Sequence, residues 1–141
     1  MPQWVRQAAA LPVLDGEICL VTSSSGRRWV IPKGMIEPGQ TAGETALQEA
    51  WEEAGIAGTL HGEPVGSYLY EKFGALHHVT VFLMQVTESW DDWPEKGRRQ
   101  RQWFPAEEAF ERIEEEGLRD IIDLALRATR RRIAAGSGWD D

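Results

Sequence analysis

Cysteine is nearly missing from this chain. Cys19 is the only one in 141 residues, so no internal disulfide can form. Its setting, "EICLV", reads as a buried strand in which a free thiol simply packs. No apolar run reaches the roughly 18 residues a membrane helix needs. The opening "MPQWVRQAAALPVLDG" lacks the basic start and long apolar block of a secretory signal, so a cytoplasmic location is expected. Positive charge is also in short supply: the net charge is −8. That makes nucleic acid an unlikely partner, since broad binding needs a basic face, but it does not exclude a small phosphorylated substrate. Hydrophobic residues make up 42% and charged residues 27%, a globular rather than a disordered balance.

There are no internal repeats and no linker, which predicts a single domain over residues 1–135 followed by a disordered tail at 136–141. "AAALPVLDGEICLVTSS" reads as two strands turning at Asp15-Gly16, with Pro12 placing the first strand near an edge or a bulge. "RRWVIP" reads as a short strand, and Pro38-Gly39 suits the centre of a type II turn. Two further strands lie in "GEPVGSYLYEK" and "LHHVTVFLMQVTE", around a turn at Phe73-Gly74. "WDDWPEKGRRQRQ" reads as a polar loop, followed by helices from about Pro105 to Glu116 and Leu118 to Ala134. This order predicts an α/β sandwich with a mixed sheet.

The segment "IPKGMIEPGQTAGETALQEAWEEAGI" carries five glutamates, three of them within five residues. Thr41 and Glu44 form a capping box, and Gly55 suits a helix terminus. Leu47, Ala50, Trp51 and Ala54 fall on one apolar face, which leaves Glu49, Glu52 and Glu53 sharing the opposite arc. Carboxylates opposite an apolar face are usually solvated, and like charges at this spacing repel. The glycine-punctuated "KGMIEPG" in front changes the balance. It must fold tightly against the helix start, bringing backbone carbonyls near the carboxylates. Carbonyl and carboxylate oxygens together are the donor set of a hard cation such as Mg²⁺ or Mn²⁺.

The same segment resembles the signature of Nudix hydrolases, G-x5-E-x7-R-E-U-x-E-E-x-G-U, with Gly34, Glu49, Glu52, Glu53, Gly55 and Ile56 in register. It departs at Gln40, where the family usually has Glu, and at Gln48, where it usually has Arg. Losing an anion and a cation together suggests an ion pair replaced by two amides. Ala50 is a smaller version of the bulky aliphatic position. "EEAGIAGTL" and "VTESWDDWPEKGRRQRQWF" resemble the diphosphoinositol polyphosphate and diadenosine polyphosphate branch.

The resemblance implies a Nudix-type α/β/α sandwich and metal-dependent attack of water on phosphorus in a diphosphate linkage. Glu49 and Glu53 would hold Mg²⁺ or Mn²⁺, helped by a carbonyl near Lys33-Gly34. Glu52 would be a further ligand or the catalytic base. The substrate would be a diadenosine polyphosphate, a diphosphoinositol polyphosphate or a nucleotide. Arg27 and Arg28 precede the signature and carry the planar fork that suits phosphate, and Ser24 in "TSSSG" can donate to it. Arg6, Lys33, His78 and Arg101 join them by resemblance of position. His77 and His78 alternate on a strand, so only one can reach a given cleft. Among the seven tryptophans, Trp29, Trp51 and Trp103 suit packing roles, while Trp90 and Trp93 suit an exposed stacking surface. The other reading is a silent module of the same fold that binds a phosphorylated ligand. The oligomeric state stays open.

Overall fold

The structure is a computed structural model that describes residues 4–136, with side chains described through residue 128. The chain opens with β1 (Trp4–Leu14) and β2 (Glu17–Thr22), which turn at Asp15-Gly16. Both turn residues take positive φ, 51° and 80°, as a two-residue type I′ hairpin requires. β1 then lies parallel to β7 (Ala75–Ser89), from Trp4 opposite Leu76 to Val13 opposite Gln85. A parallel pair covered on both faces needs apolar side chains on both, and Ala8, Ala9, Ala10 and Leu11 are buried in unbroken succession.

Pro12 therefore sits in a central strand, not near an edge. On its other side, β1 pairs with β4 (Lys33–Met35) as far as Ala9 and with β2 only from Val13. Pro12 falls in the gap between these partners, so its missing N–H interrupts neither antiparallel ladder.

The sheet order is β3 (Trp29–Val30), β2, β1, β7, β5 (Ile56–Leu60). Outside this path β4 pairs with β1, β6 (Gly66–Lys72) with β7, and β8 (Arg101–Pro105) with β2. Helix α1 (Ala42–Ala54) covers one face through Ala46, Ala50 and Ala54, packed on Ala8, Ala10, Cys19 and Met84. Helices α2 (Ala106–Arg112) and α3 (Glu116–Gly136) cover the other, where Ile121 and Ile122 join Leu11, Leu20, Val81 and Phe104. This is the α/β/α sandwich with a mixed sheet that was expected.

Three strands lie where loops or nothing had been read. β4 and β5 are short and flank α1, and β8 hides in the arginine-rich stretch, paired along β2 from Arg101 to Pro105. The second helix is shorter than expected, ending at Arg112, and the last begins earlier, at Glu116. The expected tail lies outside the described residues apart from Gly136, where α3 ends. Among the described residues no helix is long and apolar enough to cross a membrane.

Candidate active site

The glutamate helix is placed by its two ends. The Gln40 N–H donates to the Glu37 carbonyl at 3.0 Å across a turn whose Gly39 has φ 90°, the type II geometry expected at Pro38-Gly39. Thr41 Oγ1 accepts from the Glu44 N–H at 3.0 Å, and Glu44 Oε1 accepts from the Thr41 N–H at 2.8 Å. At the other end Gly55 adopts φ 65° and stops the helix.

Between these ends the buried face is Thr45, Ala46, Ala50, Glu53 and Ala54, which corrects the expected one. Three alanines let α1 lie close on the sheet, so the buried stripe is narrow. Trp51 falls outside it, 39% exposed, with its ring edge-on to Trp90 at 5.1 Å. Glu53 falls inside it, 4% exposed. The expected surface arc of three carboxylates is thus a buried Glu53 flanked by half-buried Glu49 and Glu52.

Gln40 and Gln48 do pair: the Gln40 amide donates to Gln48 Oε1 at 2.5 Å, and Thr45 Oγ1 donates to Gln40 Oε1 at 3.1 Å. Two neutral amides and a hydroxyl tie the turn to the helix where the signature has two charges.

Glu49 lies against β4. A Cβ on Gly34 would overlap the Glu49 carboxylate, so only glycine leaves room for it there. The Lys33 N–H of the same strand donates to Glu53 Oε1 at 3.3 Å. Burial, then the charge and hydrogen bonding of Glu53, then Glu52, push the Glu49 carboxyl up to about 8. Burial also pushes Glu53 up, against the opposing pull of the Arg99 guanidinium, the Glu49 hydrogen bond and the Lys33 N–H. Burial lowers Lys33, which the Glu53 carboxylate partly offsets. Among the described residues no three His, Cys, Asp or Glu side chains already surround one centre. What converges is the Glu49–Glu53 pair, with Glu52 in hydrogen-bonding reach of Glu49. Crowded carboxylates beside a strand backbone, where Gly34 leaves room for the Glu49 carboxylate, fit a hard divalent cation.

Glu53 opens into a cleft of about 440 Å³. Ser24, Arg28 and Lys33 line it, so three of the expected substrate-binding residues meet at one expected metal ligand. The other four lie elsewhere. Arg27 is exposed in the turn before β3 and does not line the cleft. Arg6 and His78 stand opposite each other on β1 and β7, and by strand alternation they share the α1 face of the sheet. His77 faces the other way and stacks on Tyr70 at 4.6 Å. Arg101 donates from Nη1 to the carbonyls of Ala54 and Trp90, both at 2.8 Å. Its guanidinium also covers Trp93 at 4.2 Å, so Trp93 is a packing residue in place of an exposed platform.

The cleft contains residues that sequence reasoning had not selected. Gln7 and Tyr70 line it, joined by a 2.7 Å hydrogen bond from the Tyr70 hydroxyl. Lys72 and Phe73 reach it from the β6–β7 turn, and Phe73 is 96% exposed at its rim. Arg99 enters from the loop before β8. The hairpin dipeptide Phe73-Gly74 was legible, but not that its tip overhangs the site.

Solved structures share this fold. A C. elegans Ap4A hydrolase, solved as a binary complex, superposes with a TM-score of 0.74 at 23% identity, covering 89% of this chain and 98% of that one. The E. coli ORF135 protein gives 0.71 at 24%, covering 92% and 94%. At such identities the likeness establishes the fold. The NUDIX domain profile matches residues 4–125, and this chain belongs to that family. Among curated relatives, Arabidopsis thaliana "Nudix hydrolase 12, mitochondrial" is 33% identical over 120 residues, 79% of this chain and 59% of its own length. Mouse "Diphosphoinositol polyphosphate phosphohydrolase 2" is 35% identical over 99 residues, 68% of this chain and 54% of its own. The chain thus spans a little over half the length of these relatives.

Proposed function

We propose that this protein is a metal-dependent pyrophosphohydrolase that cleaves a diphosphate linkage in a small phosphorylated substrate by attack of water on phosphorus. The observation that carries this reading is that Glu49, resting over Gly34, meets Glu53, which lines a cleft shared with Arg28, Lys33, Lys72 and Arg99. Glu49 and Glu53 would hold Mg²⁺ or Mn²⁺, which supplies Lewis-acid polarisation of the phosphoryl oxygens when bound. Glu52, on the same arc, takes the proton from the attacking water. Arg28, Lys33 and Lys72 face the negative charge that grows on the phosphoryl oxygens, and Ser24 donates a hydrogen bond to the same group. Arg6, Arg27, His78 and Arg101 remain proposals from position, and none of the four lines this cleft.

The substrate classes proposed are diadenosine polyphosphates, diphosphoinositol polyphosphates and nucleotides; the name of a curated relative supports the diphosphoinositol class and that of a structural neighbour, an Ap4A hydrolase, the diadenosine class. The unit proposed to carry the activity is the single domain over residues 1–135. The proposed setting is the cytoplasm, where a lone buried thiol such as Cys19 stays reduced.

The test is a panel of these three classes with Mg²⁺, Mn²⁺ or chelator, read by product mass. Cleavage of one class that chelator stops, and that Glu52→Gln lowers about 10²-fold or more, is the expected outcome. Ligand binding by thermal shift with no turnover of any class would replace this reading with the silent binding module.

A further inference from the structure

The loop between β7 and β8 crosses the end of α1 that carries Glu52 and Glu53, and it is fastened there. The Glu95 N–H donates to the Glu52 carbonyl and the Trp90 N–H to the Gly55 carbonyl, both at 2.9 Å. Trp93 packs directly on Gly55. The last turn of α1 contains no basic residue, although two carboxylates face the negative end of its dipole there. The loop and the start of β8 supply the cations instead, Arg99 on Glu53 and Arg101 on the Ala54 carbonyl.

All three nitrogens of the Arg99 guanidinium are engaged. Nε donates to Glu95 Oε1 at 2.8 Å, Nη1 donates to the Thr22 carbonyl at 2.9 Å, and Nη2 lies 3.4 Å from Glu53 Oε2. Two anchors on separate elements fix the fork, and the third nitrogen points at a carboxylate whose side chain is 5% exposed. Glu53 Oε1 is held independently by the Lys33 N–H. Each oxygen of Glu53 therefore has its own partner, an N–H on Oε1 and a guanidinium ion pair on Oε2, and the carboxylate plane is set before any ligand arrives. Where the family signature has arginine, this helix has Gln48, which is bonded to Gln40 and offers Glu53 no charge.

We infer that Arg99 is the positioning residue for Glu53, supplying from the β7–β8 loop the guanidinium that α1 lacks at position 48. The inference rests on Glu53 being a metal ligand. Lysine cannot replace this function, because an ammonium on a flexible stem cannot span Glu95, the Thr22 carbonyl and Glu53 at once.

Positioning and simple electrostatics predict opposite effects on metal affinity. Removing a cation beside a cation site should tighten binding by Coulomb's law, whereas releasing a preset ligand should weaken it. The experiment is Mn²⁺ titration without substrate, followed by the electron paramagnetic resonance signal of free Mn²⁺. It compares the wild-type chain with Arg99→Met, which keeps volume and loses charge, and Arg99→Lys, which keeps charge and loses the fork. Both variants should bind Mn²⁺ about tenfold or more weakly. Unchanged or tighter binding in Arg99→Met, or wild-type affinity in Arg99→Lys, overturns the inference. If thermal melts show that Arg99→Met does not fold, the Arg99→Lys comparison decides alone. Absence of Mn²⁺ binding by the wild-type chain instead overturns the metal reading of Glu49 and Glu53, and this inference with it.

Discussion

Glu49 rests its carboxylate on the bare Cα of Gly34, and this contact separates function from stability. A methyl group at position 34 would meet only the far end of a flexible side chain. Gly34→Ala should therefore leave the thermal midpoint almost unchanged while it swings the Glu49 carboxylate aside. A loss of about 10²-fold in kcat, the scale of a misplaced reacting group, is the expected result in steady-state kinetics.

The same carboxylate makes metal-free stability depend on pH. Its folded value of about 8 stands above the ordinary 4.5, so below 4.5 the group is neutral in both states and destabilises neither. As pH rises from 4.5 to 8 the unfolded chain releases this proton and the folded chain keeps it, so stability falls across that window. Glu53 is shifted in the same direction and adds to the fall. Thermal melts in chelator should show a midpoint that declines from pH 5 to pH 8, and Glu49→Gln should flatten the decline.

At the scale of elements, α1 is held by a cap at one end and a loop at the other, and the two can be probed separately. Thr41→Ala removes the capping bond and should destabilise by about 1 kcal/mol in denaturant melts, with the carboxylate end intact. Gly55→Ala forces an alanine to φ 65° and drives its Cβ into Trp93, so a cost of about 1–3 kcal/mol is expected. Because Trp93 belongs to the loop that carries Arg99, Gly55→Ala should also lower Mn²⁺ affinity, and Thr41→Ala should not. The capping box, Gly55 and both positive-φ hairpins were legible in the sequence because neighbours within four residues determine them. β4, β5 and β8 were not, since three to five residues carry little periodicity and their partners lie far along the chain. Arg99 was passed over within Arg98, Arg99 and Arg101, although Glu95 four residues before it is the spacing of a helical ion pair. That pattern named a local partner but not Glu53, which only the docking of the loop on α1 brings within reach.

At the scale of the whole molecule, a chain of net charge −8 presents a cleft lined with cations beside a carboxylate pair. Overall charge says little about the cleft, because folding gathers Arg28, Lys33, Lys72 and Arg99 from four separate segments. On the proposed reading, the carboxylate pair couples metal to folding. Mn²⁺ at 100 times its dissociation constant should stabilise the fold by about 2.7 kcal/mol, provided the unfolded chain does not bind it. Thermal melts with and without chelator measure this, and Glu49→Gln combined with Glu53→Gln should abolish the difference.

The measurement that bears most directly on the central claim is hydrolysis in ¹⁸O-labelled water, followed by mass analysis of the products from the substrate class that is turned over. Attack of water on phosphorus predicts a single ¹⁸O in one phosphate-bearing product, formed with Mg²⁺ or Mn²⁺, stopped by chelator, and reduced about 10²-fold or more in Glu52→Gln. Cleavage that places no label on phosphorus, or that proceeds undiminished in chelator or in Glu52→Gln, would contradict it.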